Sequence, residues 1–160
     1  MAKKVPSKDA LIEWFKDNNL SPEITDDDRF EFHFVVQRGR VKLEVFRLNG
    51  KKYIHVGTRI MLPKDKESLY TPKEASEFNS RLLERLPALN VDIKHFQGSS
   101  IGIYQQVFDD GFTYDRLYTT LRSVSLAGLN LQHLLFSIVG SGSSLEIPSV
   151  NEQSEPSYFV

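Results

Sequence analysis

The sequence predicts an α+β domain: an antiparallel sheet with helices, in the order helix, three strands, helix, two strands, helix. Three observations predict it. Apolar residues alternate with other residues from Phe30 to Leu62, the period-two signature of strands with one greasy face. Arg38-Gly39 and Asn49-Gly50 interrupt that alternation at hairpin spacing, and Asn-Gly is a preferred tight-turn pair. Stretches on either side carry apolar residues at steps of three and four, which is helical spacing.

Each element follows in order. Ser7 caps a short helix running to about Asn18, with Leu11, Ile12, Trp14 and Phe15 on its sticky side. A loop follows. Its aspartates, Asp26 to Asp28, lack the alternating spacing and closing glutamate of a calcium loop. The strands then place Phe30, Phe32, Phe34 and Val36 on one face, joined by Val41, Leu43 and Val45, and by Ile54, Val56, Thr58 and Ile60. A tight turn at Arg38-Gly39 sets Phe34 opposite Leu43 and Phe32 opposite Val45. A type I′ turn at Asn49-Gly50 sets Val45 opposite Ile54 and Leu43 opposite Val56. Both registers match apolar with apolar, and a one-residue slip would turn a greasy face to water. Thr71, Pro72 and Glu74 then give the cap, first-turn proline and capping-box acid of a second helix. Ala75, Phe78, Leu82, Leu86 and Leu89 mark its apolar side, and Pro87 ends or bends it. Two strands, about Val91 to Phe96 and Ile101 to Phe108, meet near Gly98, and Thr113 caps the last helix.

That last helix carries the stretch SVSLAGLNLQHLLFSIV, Ser123 to Val139, without one charge. Leu117, Leu121, Val124, Gly128, Leu131, Leu135 and Ile138 form one stripe at steps of three and four, as packing on a sheet requires. Tyr118, Leu126, Leu129 and Phe136 form a second apolar set, which is the candidate interface. Covering it takes either the other helices of the chain or another chain, most simply a second copy. Gly128 and Asn130 offer a place for the helix to break.

The same registers set a polar row on the other face of the sheet: His33 opposite Glu44, and Glu44 opposite His55. Two imidazoles and a carboxylate are zinc-ligand chemistry, and also a simple cross-strand charge pair. Adjacent strands lie about 4.8 Å apart, so the two histidines stand roughly 10 Å apart at the backbone. No fourth ligand is evident in the neighbouring row of Glu31, Phe46 and Tyr53, so no metal or cofactor is expected. Phe46 and Tyr53 on that face are expected to be covered by a helix or a loop.

The bulk composition narrows the function classes. A chain of 160 residues with 40% hydrophobic content closes one core without staples. The domain is expected over residues 1–139, with a polar, proline-bearing tail over 140–160 whose Tyr158-Phe159-Val160 end could dock elsewhere. The absence of cysteine excludes disulfides and a thiol nucleophile, and fits a cytoplasmic address. A formal net charge of −1 argues against a nucleic-acid partner. The opening residues lack a signal-peptide core, and Asn130, Gln132 and His133 spoil the one uncharged stretch as a membrane span. No phosphate loop, nucleophile elbow or zinc-protease motif is present. His95 and His133 have no partner in sequence reach.

The order of elements resembles the secretion-chaperone-like fold of type III secretion chaperones and related small proteins. FEFHFVVQRGRVKLEVF and TPKEASEFNSRLLERL also resemble an uncharacterised archaeal family placed near that fold. The resemblance covers about residues 7 to 139 and carries no signature motif. It implies a small homodimer that binds partner proteins and has no catalytic centre. The near-neutral charge departs from the acidic balance common among secretion chaperones. The functional expectation is a non-catalytic, protein-binding or chaperone-like module. The alternative is a small metal-binding protein or enzyme using His33, Glu44 and His55.

Overall fold

The computed structural model describes residues 6–61, 91–96 and 100–139, together with Ser76, Glu77, Ser80, Arg81, Glu84 and Arg85. The side chains at 61, 94–96, 100, 136, 138 and 139 also lie outside the description. So do the apolar side of the helix predicted over 71–89, the junction at Gly98 and the tail from 140. The six separate residues are helical and exposed.

Helix α1 spans Lys8–Asp17. Ser7 Oγ accepts from the Ala10 N–H at 3.2 Å, as its capping role requires. The helix stops because Asn19 turns left-handed, with φ 59. The Leu20 and Asn19 N–H groups then donate back to the Phe15 and Lys16 carbonyls, which is a Schellman ending with asparagine in the place glycine usually takes.

The sheet is antiparallel throughout: β1 (Glu23–Ile24), β2 (Phe30–Arg38), β3 (Val41–Leu48), β4 (Tyr53–Met61), β5 (Asp92–Phe96) and β6 (Ser100–Phe108). Its strand order is β1-β2-β3-β4-β6-β5. The predicted three-stranded meander is β2-β3-β4, and the two later strands are β5 and β6. Strand β1 was not foreseen, because two residues are too few to carry a period.

Both hairpin registers differ from expectation by two residues. Phe34 pairs with Val45, not Leu43, and Val45 pairs with Val56, not Ile54. A shift of two keeps every side chain on its face, so the core composition stands while the partners change. The turns explain the shift. The first is centred on Gly39 and Arg40, with Gly39 at φ 62, the glycine-first arrangement of a II′ turn. In the second, Lys51 N–H closes onto Leu48 O at 3.1 Å, and Gly50 alone takes positive φ, at 81. Asn49 is engaged elsewhere: its N–H donates to Arg29 O at 3.0 Å and its side-chain amide to Asp28 O. It therefore does not adopt the left-handed backbone a I′ turn needs.

A β-bulge makes a second correction. Phe30 pairs with Leu48 while Phe32 pairs with Arg47, which leaves Glu31 as the extra residue. Phe30 therefore leaves the face shared by Phe32, Phe34 and Val36 and joins the opposite one.

The main core lies between the near face of the sheet and two helices. Phe34, Leu43, Ile54 and Ile103 from the sheet meet Leu11 and Phe15 of α1 and Leu117, Leu121 and Leu131 of helix α2 (Tyr114–Val139), all fully buried. Each such side chain contributes about 1.5–3 kcal/mol of burial. Thr113 caps α2, its Oγ1 accepting from Arg116 N–H at 3.0 Å. The helix runs unbroken through Gly128 and Asn130, across β3, β4 and β6. Gly128 is used for close approach: a Cβ there would stand 3.1 Å from Thr58 Cγ2 and 3.8 Å from Val41 Cγ1. The Thr58 hydroxyl is held away by donating to Lys42 O at 2.9 Å, which leaves its methyl as the contact surface. No helix among the described residues is long and apolar enough to cross a membrane.

Two predictions follow from packing and charge. Gly128→Leu should cost about 1–3 kcal/mol in urea unfolding by overpacking, whereas Gly128→Ala should change stability far less, because about 1 kcal/mol of helix propensity offsets the methyl contact. A leucine variant as stable as the native chain would refute the close approach. Separately, Asp27 accepts from the Arg29 side chain and from its backbone N–H, which lowers its pKa from 3.8 to about 2. A depressed carboxyl contributes stability that is present above its unfolded value and lost as pH falls through its folded value. An NMR titration should place Asp27 near 2, and Arg29→Ala should return it toward 3.8.

Candidate functional site

The polar row predicted on the far face is rearranged by the true registers. His33 pairs with Phe46, and Phe46 with His55. Glu44 lies one row away, between Val35 and Gly57. His33, Glu44 and His55 do share the far face and are all buried, but they do not form one line. Glu44 reaches His33 on the diagonal, with Oε2 3.1 Å from Nε2 and both side chains 4% exposed. The other imidazole nitrogen, Nδ1, is buried without a hydrogen bond. The tautomer suited to this geometry therefore carries its proton on Nε2 and donates it to Glu44.

His55 is held by rings. It stacks on Phe46 at 4.5 Å and 16°, and on Tyr104 at 5.0 Å and 20°. Gly57 makes this possible: it faces Tyr104 across the strands and presents no side chain, so the phenol ring leans over His55. On the opposite flank Phe30, delivered by the bulge, lies 4.6 Å from His33 and edge-on to Phe46 at 5.3 Å. The far face is thus a second cluster of aromatic and imidazole rings. Phe46 is 2% exposed, with the rings of Phe30, His33 and His55 from the sheet itself against it. Tyr53 is half-buried, edge-on to Phe108 at 6.0 Å. Burial, with the charge of Asp92 behind it, raises the Tyr104 phenol above its ordinary pKa of 10.0; Asp92 is its cross-strand partner. Among the described residues no three His, Asp or Glu side chains gather in an arrangement that could hold a metal ion.

The second candidate surface is α2. Its buried positions span Leu117, Thr120, Leu121, Val124, Ser125, Ala127, Leu131, Gln132, Leu134 and Leu135, about half of the circumference at 3.6 residues per turn. The uncharged stretch is therefore mostly closed within the chain. Of the predicted interface residues, Tyr118 is 42% and Leu126 50% exposed, whereas Leu129 packs against the core. The Phe136 side chain lies outside the described residues. The open stripe instead runs Thr119, Arg122, Leu126, Asn130, His133 and Ser137, with Leu126 as its apolar centre and Tyr118 at its flank. How the wheel is turned on the sheet, which no sequence pattern carries, decides that Tyr118 and Leu126 stay open while Leu129 is partly buried.

Sequence reasoning missed Arg38. Its Nη1 donates to Ser125 Oγ at 2.9 Å, and its guanidinium carbon sits 5.7 Å from the Tyr118 ring centroid. The two elements are 87 residues apart, and no local pattern marks such a pair.

The comparisons with known proteins can be set beside this geometry. A family profile, described as an uncharacterized conserved protein (DUF2299), matches residues 7–135. The chain belongs to the DUF2299 family. A crystal structure of an uncharacterized protein from Methanothermobacter thermautotrophicus is similar in fold to this DUF2299 chain, with a TM-score of 0.73 and 19% identity. The likeness covers 84% of this chain and 100% of that one. At that identity it carries fold and nothing more. No curated protein gives a significant match.

The buried His33–Glu44 contact yields a stability test. His33→Ala removes the imidazole from a buried carboxyl and should cost about 3 kcal/mol. His33→Phe combined with Glu44→Leu should recover most of that loss, because matched apolar replacement of a buried pair is nearly neutral. Equal losses in the single and double variants, measured by chemical denaturation, would show that the contact is not what holds this face.

Proposed function

We propose that this DUF2299 protein is a non-catalytic, chaperone-like module that binds another polypeptide through the open stripe of α2. The observation that carries the reading is Leu126, half exposed at the centre of a helix whose sheet-facing side is fully closed. A leucine in that position gains from being covered. The flanking Tyr118 and Arg38 are residue types that dominate binding energy at protein interfaces. The resemblance of the sequence to the secretion-chaperone-like fold points the same way, since such folds typically act by holding other proteins. Either a second copy of the chain or a different polypeptide would cover the stripe.

The competing reading, metal or acid–base chemistry by His33, Glu44 and His55, has less support. All three are closed off from solvent, and His55 is engaged by two stacked rings. A substrate would have to displace those rings to reach it.

A photo-cross-linking residue at position 126 of the full chain, used in cells of the native source, tests the proposal. Discrete adducts are expected that do not form when the cross-linker replaces Lys8. An adduct of twice the chain mass would identify a second copy as the occupant, and any other mass a different polypeptide. The same pattern from both positions, or none from position 126, would overturn the reading.

A further inference from the structure

The chemistry of the partner can be read from the charges around Leu126; this inference rests on the reading that α2 is a contact surface. Tyr118, Arg122 and Leu126 follow one another at steps of four, so they are neighbours on one side of the helix. Arg38 adds a second guanidinium from the end of β2, held by the buried Ser125 hydroxyl beneath it and the Tyr118 ring beside it. Ser125 is itself fixed, donating to Arg122 O at 3.0 Å. Arg29 pairs with Asp27, Arg47 with Glu31 and Asp109, and Arg81 with Glu77, whereas Arg85 and Arg116 donate to Asn130 Oδ1 and Gly111 O. Among the described residues no carboxylate pairs with Arg38 or Arg122. A guanidinium fork already oriented by two neighbours loses little freedom on accepting a carboxylate.

We propose that this surface binds an acidic polypeptide segment, whose carboxylates take Arg38 and Arg122 while an adjacent apolar side chain covers Leu126 and Tyr118. A second copy of the chain fits less well. An antiparallel two-fold pairing that seats Tyr118 on Leu126 sets Arg122 against Arg122, and like charges opposed at an interface are costly. A polynucleotide fits less well too. Two cations interleaved with a leucine make a small phosphate footprint, and the formal net charge of the chain is −1.

The test is fluorescence anisotropy of the full chain with a labelled random copolymer of glutamate and tyrosine, with poly-glutamate and a DNA duplex as comparison probes. The copolymer should bind at least about tenfold more tightly than either comparison, since both charge and apolar cover are supplied. Arg38→Ala, Arg122→Glu and Leu126→Ala should each weaken binding by about fivefold or more. Lys8→Ala, which removes one positive charge elsewhere, should leave it unchanged. All four positions are at least partly open to solvent, and unchanged thermal unfolding would establish that each variant is folded. Equal binding by native chain and variants, or tighter binding of DNA, would overturn the proposal. So would a doubled solution mass by light scattering that Leu126→Glu abolishes, because the occupant would then be a second copy. Cross-links from position 126 without copolymer binding would overturn only the acidic partner; the absence of both would overturn the contact surface as well.

Discussion

The seating of α2 on the near face of the sheet is the constraint on which the rest of the molecule depends. Strands β3, β4 and β6 expose a continuous apolar surface, and one long helix covers it. The distance between them is set at Gly128, where the helix backbone comes against the Thr58 methyl. Everything described on α2 follows from that contact. It turns Leu117, Leu121, Val124, Leu131 and Leu135 inward and leaves Leu126 outward. It also brings Ser125 to the end of β2, where Arg38 finds it. The helix is capped at its start by Thr113 and tied to α1 by the stacking of Trp14 on Tyr114 at 5.3 Å.

Much of this was legible in the sequence, for reasons that are themselves physical. Period-two alternation marks which residues share a sheet face, and a register error of two leaves that assignment intact. Face membership for Phe32, Phe34, Leu43, Val45, Ile54 and Val56 was therefore robust even though their partners were misassigned. What a pattern cannot carry is the exact centre of a turn. Gly39 and Gly50 mark the neighbourhood, but Asn49 is drawn aside by carbonyls at Asp28 and Arg29, which lie about twenty positions earlier. The polar row of His33, Glu44 and His55 depended on that centre and so was displaced. The α2 stripe failed more gently. The wheel angle is decided by tertiary contact, which leaves Leu129 partly buried against the core. Arg38 was invisible because its partners lie on another element.

The far face carries a different lesson. It holds imidazoles, a carboxylate and a phenol, the groups from which active sites are made, but it arranges them as packing. His33 meets Glu44, His55 lies between rings, and Tyr104 leans across the gap left by Gly57. Buried polar groups demand partners, and the His33–Glu44 contact and the rings flanking His55 meet part of that demand. The DUF2299 match over residues 7–135 spans every one of these residues. The arrangement therefore lies wholly within the part of the chain that the family profile covers.

The bulge at Glu31 joins these two faces. Strand β2 gives Phe32, Phe34 and Val36 to the near-face core, where Phe34 meets Phe15 of α1, and Phe30 to the ring cluster behind it. A single segment thus serves as a mortise shared by both compartments. Loss of β2 would therefore open both compartments at once. Sharing of this kind favours loss of both layers in one transition.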